Sequence, residues 1–347
     1  MKKLLSVILV AAAVSSLALL SSCSSYRQFS KSDITVFDTQ TVILGCEADE
    51  EIFNEKADAI LEKLSYYHKL YDIYYEYEGI NNLKTVNDNA GVSPVRVDSA
   101  VIELLLYSKE MYELTDGMTN VAMGSVLSVW HDYREKGLAD PENAALPPVE
   151  ILEAAREHTD IEKLIINEEE STVYLADGEM SLDVGAVAKG YAVEMTARYC
   201  EEQGYSGYAM SVGGNVRCIG SKPDGKKWEI GIQNPDLSSN KAYVKNVFLE
   251  NGSLVTSGTY QRFYTVAEKK YHHIIDPNTL MPKNTYDAVS VVTDHSGLAD
   301  ALSTALFNMS YEEGLAIAEK TGSQVIWVYP DGSTKTTEGF DLLTKSK

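Results

Sequence analysis

Apolar residues recur at helical spacing over residues 52–71, at Ile52, Phe53, Ala57, Ile60, Leu61, Leu64 and Tyr71. That spacing gives a helix one buried face. Residues 99–114 pass the same test, with Asp98 placed as an N-cap and Gly117 just beyond the end. Residues 150–158 are a shorter helical candidate, and 189–203 read as a helix stopped by Gly204. Strand-like runs are predicted at 161–166 and 171–176, with Asn167-Glu168-Glu169-Glu170 as the turn, and again at 207–212, 227–233, 242–249, 253–257, 271–275 and 288–293. Helices return at 298–309 and 311–321, the second with Ser310 and Glu313 at capping-box spacing. Ser323–Tyr329 closes as an apolar strand. Mixed helices and antiparallel-looking strands, with no repeat and no long linker, predict an α+β fold forming one catalytic unit of two lobes.

Residues 1–22 fall outside that pattern. Met1-Lys2-Lys3 is basic, the run from Leu4 to Leu20 is apolar and uncharged, and Leu20-Ser21-Ser22-Cys23 follows. This is the layout of a secretory signal segment, slightly short for a membrane-spanning helix. The Leu-Ser-Ser-Cys ending resembles a bacterial lipobox, which implies that Cys23 becomes the lipidated first residue and that the protein sits outside the cytoplasm on a membrane. Residues 24–32 read as a polar tether, and residues 34–343 as the folded part. Of the 347 residues, 30 are Lys or Arg and 51 are Asp or Glu, a formal charge of −21. Loss of Lys2 and Lys3 with the leader takes it to −23. Such acidity argues against nucleic acid and against adhesion through a basic face. An anionic ligand would need a metal, a lysine or backbone dipoles to hold it. Cys46, Cys200 and Cys218 are odd in number and match no zinc spacing, so they read as small buried hydrophobes.

Five Gly- and polar-rich segments between apolar runs carry the candidate chemistry. Ser181-Leu182-Asp183-Val184-Gly185-Ala186-Val187-Ala188-Lys189-Gly190 reads as strand, turn and helix start. Free amides at a helix start and the Lys189 charge suit a pyrophosphate, although an ordinary glycine turn has the same spacing. Gly213-Gly214-Asn215 after an apolar strand is a tight turn or a close ligand approach. Thr256-Ser257-Gly258 with Arg262, and His272-His273-Ile274-Ile275-Asp276, look like a hairpin with Arg262 and a histidine at opposite ends. The adjacent histidines should face opposite ways, one inward and one outward. In Ala299-Asp300-Ala301-Leu302-Ser303-Thr304, Asp300 and Thr304 stand one helical turn apart. A carboxylate and a hydroxyl so placed could form part of a Mg²⁺ site completed by phosphates and water, or a solvated polar face.

In this order the five segments resemble the ApbE family of flavin transferases. Phe37-Asp38-Thr39 is similar to the family's opening strand motif, Asn81-Asn82-Leu83-Lys84-Thr85-Val86-Asn87 to a stretch before its first long loop, and Gly117-Met118-Thr119-Asn120-Val121 with Trp130 to a further segment. The resemblance spans roughly residues 34–330 and implies a T-fold-related architecture. It implies Mg²⁺-dependent transfer of FMN from FAD to a Thr or Ser hydroxyl of a target protein, with a phosphoester formed and AMP released. Mn²⁺ or Ca²⁺ would be substitutes for Mg²⁺. By position, Asp300, Thr304 and the backbone oxygen near Ala186 would hold the metal. Phe37, Tyr77, Met118, Thr119, Asn120, Asp183, Lys189 and Ile274 would contact FAD. His273, Asp300 and Arg262 would be the catalytic set, with His273 or a carboxylate as base. Ala186 stands where some members place Thr, Gly297 where some place a second acid, and Asn120 where Asp is usual. The implied acceptor is a membrane-associated electron-transfer subunit. The competing readings are a non-catalytic flavin-binding lipoprotein and a solute-binding lipoprotein.

Overall fold

The computed structural model describes residues 26–345. The expected leader and Cys23 therefore lie outside the described residues. The central element is an antiparallel sheet in the order β1 (Arg27–Asp33), β2 (Thr41–Glu47), β6 (Tyr208–Val212), β7 (Asn215–Ile219), β10 (Gly252–Gly258), β13 (Ala288–Thr293), β14 (Gln324–Val328) and β15 (Thr334–Thr336). Helices α1 (Glu50–Tyr71), α6 (Ala188–Glu202), α7 (Ser296–Asn308) and α8 (Tyr311–Thr321) cover one face. The hairpin β8 (Trp228–Gln233) and β9 (Tyr243–Leu249) covers the other.

Period-two alternation explains how one sheet serves two cores. In β13, Val289 and Val291 face the helices while Ala288 and Val292 face the hairpin. In β14, Val325 and Trp327 point one way and Ile326 and Val328 the other.

A smaller lobe combines α2 (Leu83–Asp88), α3 (Ser99–Leu114) and the sheet β3 (Val95–Arg96), β5 (Thr172–Leu175), β4 (Leu164–Asn167). It packs against the N-terminal end of α6 through Val187, Ala188, Tyr191 and Ala192. A third cluster joins α4 (Gly124–Ala139) and α5 (Val149–Arg156) to the hairpin β11 (Phe263–Val266) and β12 (Lys269–His272). The chemistry-bearing segments lie where these units meet the starts of α6 and α7. Among the described residues no helix is long and apolar enough to cross a membrane.

The α+β reading holds, and the strongly periodic helices stand where expected: α3 spans 99–114 with the Asp98 cap, and α8 carries the Ser310/Glu313 capping box. Cys46, Cys200 and Cys218 are free and buried. Three expectations change. Residues 27–33 are not tether but an edge strand, paired residue for residue with β2. Its single apolar anchor, Phe29 stacked on Phe53, gave no periodic signal, and its backbone ladder holds it. Phe37 and Asp38 form no strand. They take left-handed conformations, with φ of 54° and 48°, and turn the chain between β1 and β2. Finally, β12 ends at His272, so 273–275 leave the ladder.

One buried ion cluster ties the helices to the sheet. Glu194 of α6 is 4 % exposed. It accepts from Arg217 Nε of β7 at 3.2 Å, from the Ser296 amide at the start of α7 at 2.9 Å, and from Arg198 Nε at 3.4 Å. Removing one partner of a buried pair strands the other charge. Glu194→Ala is therefore expected to lower unfolding free energy by about 3–5 kcal/mol in urea denaturation, with Glu194→Gln losing less because its amide keeps part of the bonding.

Candidate active site

The start of α6 is fixed from three sides. Asn87 clamps the segment before it: its Oδ1 accepts from the Leu182 amide at 2.8 Å and its Nδ2 donates to Leu182 O at 3.0 Å. The Asp183 amide donates to Val121 O at 2.8 Å. Asp183 Oδ1 accepts from the Gly185 amide at 2.8 Å, and Lys189 Nζ reaches Gly185 O at 3.2 Å.

The third side is α7. Asp300, 5 % exposed, accepts from the Gly190 amide at 2.7 Å through Oδ2. The helices touch at Gly190, where a Cβ would lie 2.4 Å from Asp300 Cβ and 2.5 Å from Ser296 O. Gly190 sits in the first turn of α6, where amides have no acceptor within the helix, and Asp300 supplies one. Ala186 lies just ahead of the Val187 cap.

The helix-start amides are less available than the sequence suggested. Those of Val187 and Ala188 donate to Val184 O, that of Gly185 to Asp183 and that of Gly190 to Asp300. Positive charge at this point comes chiefly from Lys189. Burial raises the carboxyls of Asp183 and Asp300 above the usual range. Lys189 acts against that at both, and His131 and Arg262 act against it at Asp183.

One turn beyond Asp300, hydroxyls from two elements converge. Ser257 Oγ of β10 lies 2.8 Å from Ser303 Oγ and 3.4 Å from Thr304 Oγ1. The α7 backbone is pinned from the small lobe, since Thr119 Oγ1 donates to Ala301 O at 2.9 Å.

Arg262 and His273 sit together at the open end of the β11–β12 hairpin, not at opposite ends, because Phe263 pairs with His272. The two histidines do divide as expected. His272, 3 % exposed, donates from Nε2 to Lys283 O at 2.6 Å and accepts the Ile274 amide at Nδ1, a structural role. His273 is half-buried, and its Nδ1 lies 3.3 Å from Arg262 O. A carbonyl can only accept, so Nδ1 carries the proton and the neutral ring leaves Nε2 bare. Burial and the neighbouring Arg262 and His272 push its pKa down to about 3.

A sequence profile of the ApbE family matches residues 32–327. The chain belongs to the ApbE family. Among its relatives are the FAD:protein FMN transferases of Treponema pallidum, 30 % identical over 273 residues and covering 74 % of this chain and 73 % of that one, and of Haemophilus influenzae, 28 % identical over 311 residues and 86 % of each. The crystal structure of the ApbE protein from Thermotoga maritima superposes with a TM-score of 0.79 at 25 % identity, covering 92 % of this chain and 100 % of that one. The flavin transferase ApbE of Vibrio cholerae gives 0.74 at 25 % identity, covering 92 % and 99 %.

Other residues singled out on the ApbE resemblance are placed unevenly. Tyr77 Oη donates to Asp72 Oδ2 at 2.8 Å and lies 3.1 Å from His68 Nε2. Phe37 packs on His68, and its amide donates to His68 Nδ1 at 3.2 Å. Asn120 caps a short 3₁₀ turn through the Ala122 amide and donates to Thr159 O, while the Thr119 side chain is 1 % exposed. The side chains of Thr119 and Asn120 are thus engaged in the fold. Met118 Sδ lies 3.9 Å from Asn278 Nδ2, and Ile274 is buried in the α7 core. Sequence reasoning quoted Asn87 only as part of a matching stretch, with no role, and missed Glu194, Arg217 and the group formed by Tyr74, His131 and Arg134. Tyr74 packs its ring on His131, and Arg134 Nη2 lies 2.8 Å from His131 Nδ1. Lone residues on a loop and a helix carry no motif; only the fold brings them beside Asp183.

Two outcomes follow. Glycine-to-alanine inside a helix ordinarily stabilises by about 0.5–1 kcal/mol. At Gly190 the sign is expected to reverse, with a loss of about 1–3 kcal/mol in thermal or urea denaturation from the clash with α7. Second, His273 folds in its neutral form with a lowered pKa. Its contribution to stability is present above the ordinary histidine pKa near 6.5 and is lost as pH falls from there towards 3. An NMR titration should show the His273 ring neutral at pH 5, and a midpoint near 6.5 would contradict this.

Proposed function

We propose that this chain transfers the FMN half of FAD to a Thr or Ser hydroxyl of a target protein, forming a phosphoester and releasing AMP. The observation that carries the reading is the buried Asp300 carboxylate, facing the α6 start and followed by three converging hydroxyls, in a chain whose family relatives bear the name FAD:protein FMN transferase.

The donor set fits a hard divalent cation. Asp300, Thr304 and the Ala186 carbonyl offer oxygen only, and among the described residues no group of three or more His, Cys, Asp or Glu forms a cage. Mg²⁺ is ordinarily held in that way, by one or two carboxylates together with substrate phosphates and water. When bound there it would offset diphosphate charge and stabilise the departing phosphate of AMP. Mn²⁺ or Ca²⁺ would substitute with the same oxygens.

The chain's own groups supply the rest. Lys189 and Arg262 bring positive charge to the diphosphate in a protein that otherwise repels anions. Phe37, Tyr77, Met118 and Asp183 are the side chains proposed to hold the flavin and nucleotide, with Ile274 behind them. Thr119 and Asn120 contribute through the backbone. His273 is the proposed general base. Its proton sits at Nδ1 on Arg262 O, so Nε2 can take the acceptor's hydroxyl proton as the oxygen attacks phosphorus. The acceptor is proposed to be a membrane-associated electron-transfer subunit, and the enzyme to be anchored outside the cytoplasm through lipid on Cys23.

The test mixes purified protein, FAD, Mg²⁺ and an acceptor domain, then looks for flavin that stays on the acceptor after denaturation. Asp300→Ala should abolish covalent flavin while metal-free FAD binding survives. His273→Ala should slow transfer by about 10²–10⁴-fold. Flavin that binds but never becomes covalent would make the chain a flavin carrier instead.

A further inference from the structure

Asn215 is buried to 3 % exposure, and its side chain faces the Asp300 carboxylate. Yet its Nδ2 is closed off from solvent and makes no hydrogen bond of full geometry; it meets Asp300 only in a loose contact that favours the ionised carboxylate. A buried amide donor left poorly bonded is costly, by up to about 1–3 kcal/mol, and native proteins seldom keep one without a reason. Neither the motif resemblance nor the proposed chemistry gives this side chain a task.

The backbone shows how it comes to be there. Gly213 and Gly214, with φ of 56° and 94°, make the two-residue turn between β6 and β7. Val212 and Asn215 pair across it, so Asn215 opens β7. Asn215 and Arg217 are two apart and share the face of β7 turned towards the helices. Arg217 holds Glu194, and Glu194 holds the Ser296 amide at the start of α7. Two residues of strand span about 6.6 Å. From Ser296 to Asp300, four residues of helix span about 6 Å. The two ladders keep step: Arg217 lies under the Ser296 end through Glu194, and Asn215 under Asp300.

We propose that Asn215 is a positioning residue for the cation site, its carboxamide Nδ2–H held loosely beside Asp300 and tightening to a full hydrogen bond when a divalent cation fixes that carboxylate. This rests on the reading of Asp300 as a cation ligand. Gly190 holds one oxygen of Asp300 from the α6 side, and Asn215 steadies the carboxylate from the sheet side. Two donors from two elements would leave the group a single orientation towards the cation. Outer donors of this kind are worth about 10–100-fold in metal affinity.

The test titrates Mn²⁺ into the full chain and reads both calorimetric affinity and the rise in Tm on cation binding. Asn215→Leu keeps the volume and removes the donor. Affinity should fall about 10–100-fold and the cation-induced rise in Tm should shrink. The cation-free Tm should hold or increase, because a poorly bonded buried donor has been removed. A purely structural Asn215 predicts the reverse, a lower cation-free Tm with unchanged affinity, and that result would overturn the proposal. So would Asn215→Leu weakening FAD binding while leaving Mn²⁺ affinity intact, since the amide would then serve the nucleotide. Asn215→Ser, a shorter donor, should fall between the parent and Leu, and carries the test if Leu does not fold. Asp300→Ala is the control. If it still binds Mn²⁺ at the parent's affinity, the cation site itself is misplaced; if it loses binding while Asn215→Leu keeps it, only the role of Asn215 fails.

Discussion

The contact between the Gly190 amide and the Asp300 carboxylate sets what the rest of the site can be. It requires two helices from distant parts of the chain to meet with no side chain between them. Only glycine permits that approach, because a single added carbon would meet α7 within 2.5 Å at two atoms. The contact also gives a first-turn amide of α6 its acceptor and engages only one of the two Asp300 oxygens, Oδ2. The proposed cation site would thus rest on a packing event rather than on a cluster of acids.

Such a contact needs a rigid frame, since an amide–carboxylate bond of 2.7 Å tolerates little sliding of the helices. The Glu194 cluster provides it by joining α6, β7 and the first residue of α7 through one carboxylate. Thr119 pins the same helix from the small lobe at Ala301. Asp300 therefore lies between two anchoring points on α7, one a turn before it and one directly after. A buried ion pair adds little net stability compared with apolar packing, so its value here is in fixing geometry.

How much of this was legible beforehand follows from the kind of signal each part leaves. Periodic segments such as α3 and α8 announce themselves because burial of one face repeats in sequence, and their caps are local. The strand at 27–33 does not, since its stability lies in backbone bonds to β2 that any sequence can make. Asp183, Lys189, Arg262, His273, Asp300 and Thr304 stood out because glycine and polar residues interrupt apolar runs there. The Gly190–Asp300 contact spans 110 residues of sequence, and the Glu194–Ser296 bond spans 102. No local pattern encodes either. The free amides expected at the α6 start hold only in part, because Val184, Asp183 and Asp300 are acceptors close enough to claim those of Gly185, Val187, Ala188 and Gly190.

That last point changes the electrostatic argument. In a chain of net charge −21, a diphosphate gains little from a helix start at which the Gly185, Val187, Ala188 and Gly190 amides are already bonded. The local field must come from full charges: Lys189 between Asp183 and Asp300, Arg262 at the end of its hairpin, and the cation proposed on Asp300. Lys189 alone cannot offset two buried carboxylates and a diphosphate together. The carboxylates make the site attractive to a divalent ion and hostile to a bare dinucleotide, so cation and nucleotide should enter as a pair. If the proposed cation binds there, an acidic protein of this design would select for the metal complex of its substrate through charge balance, before any shape is tested.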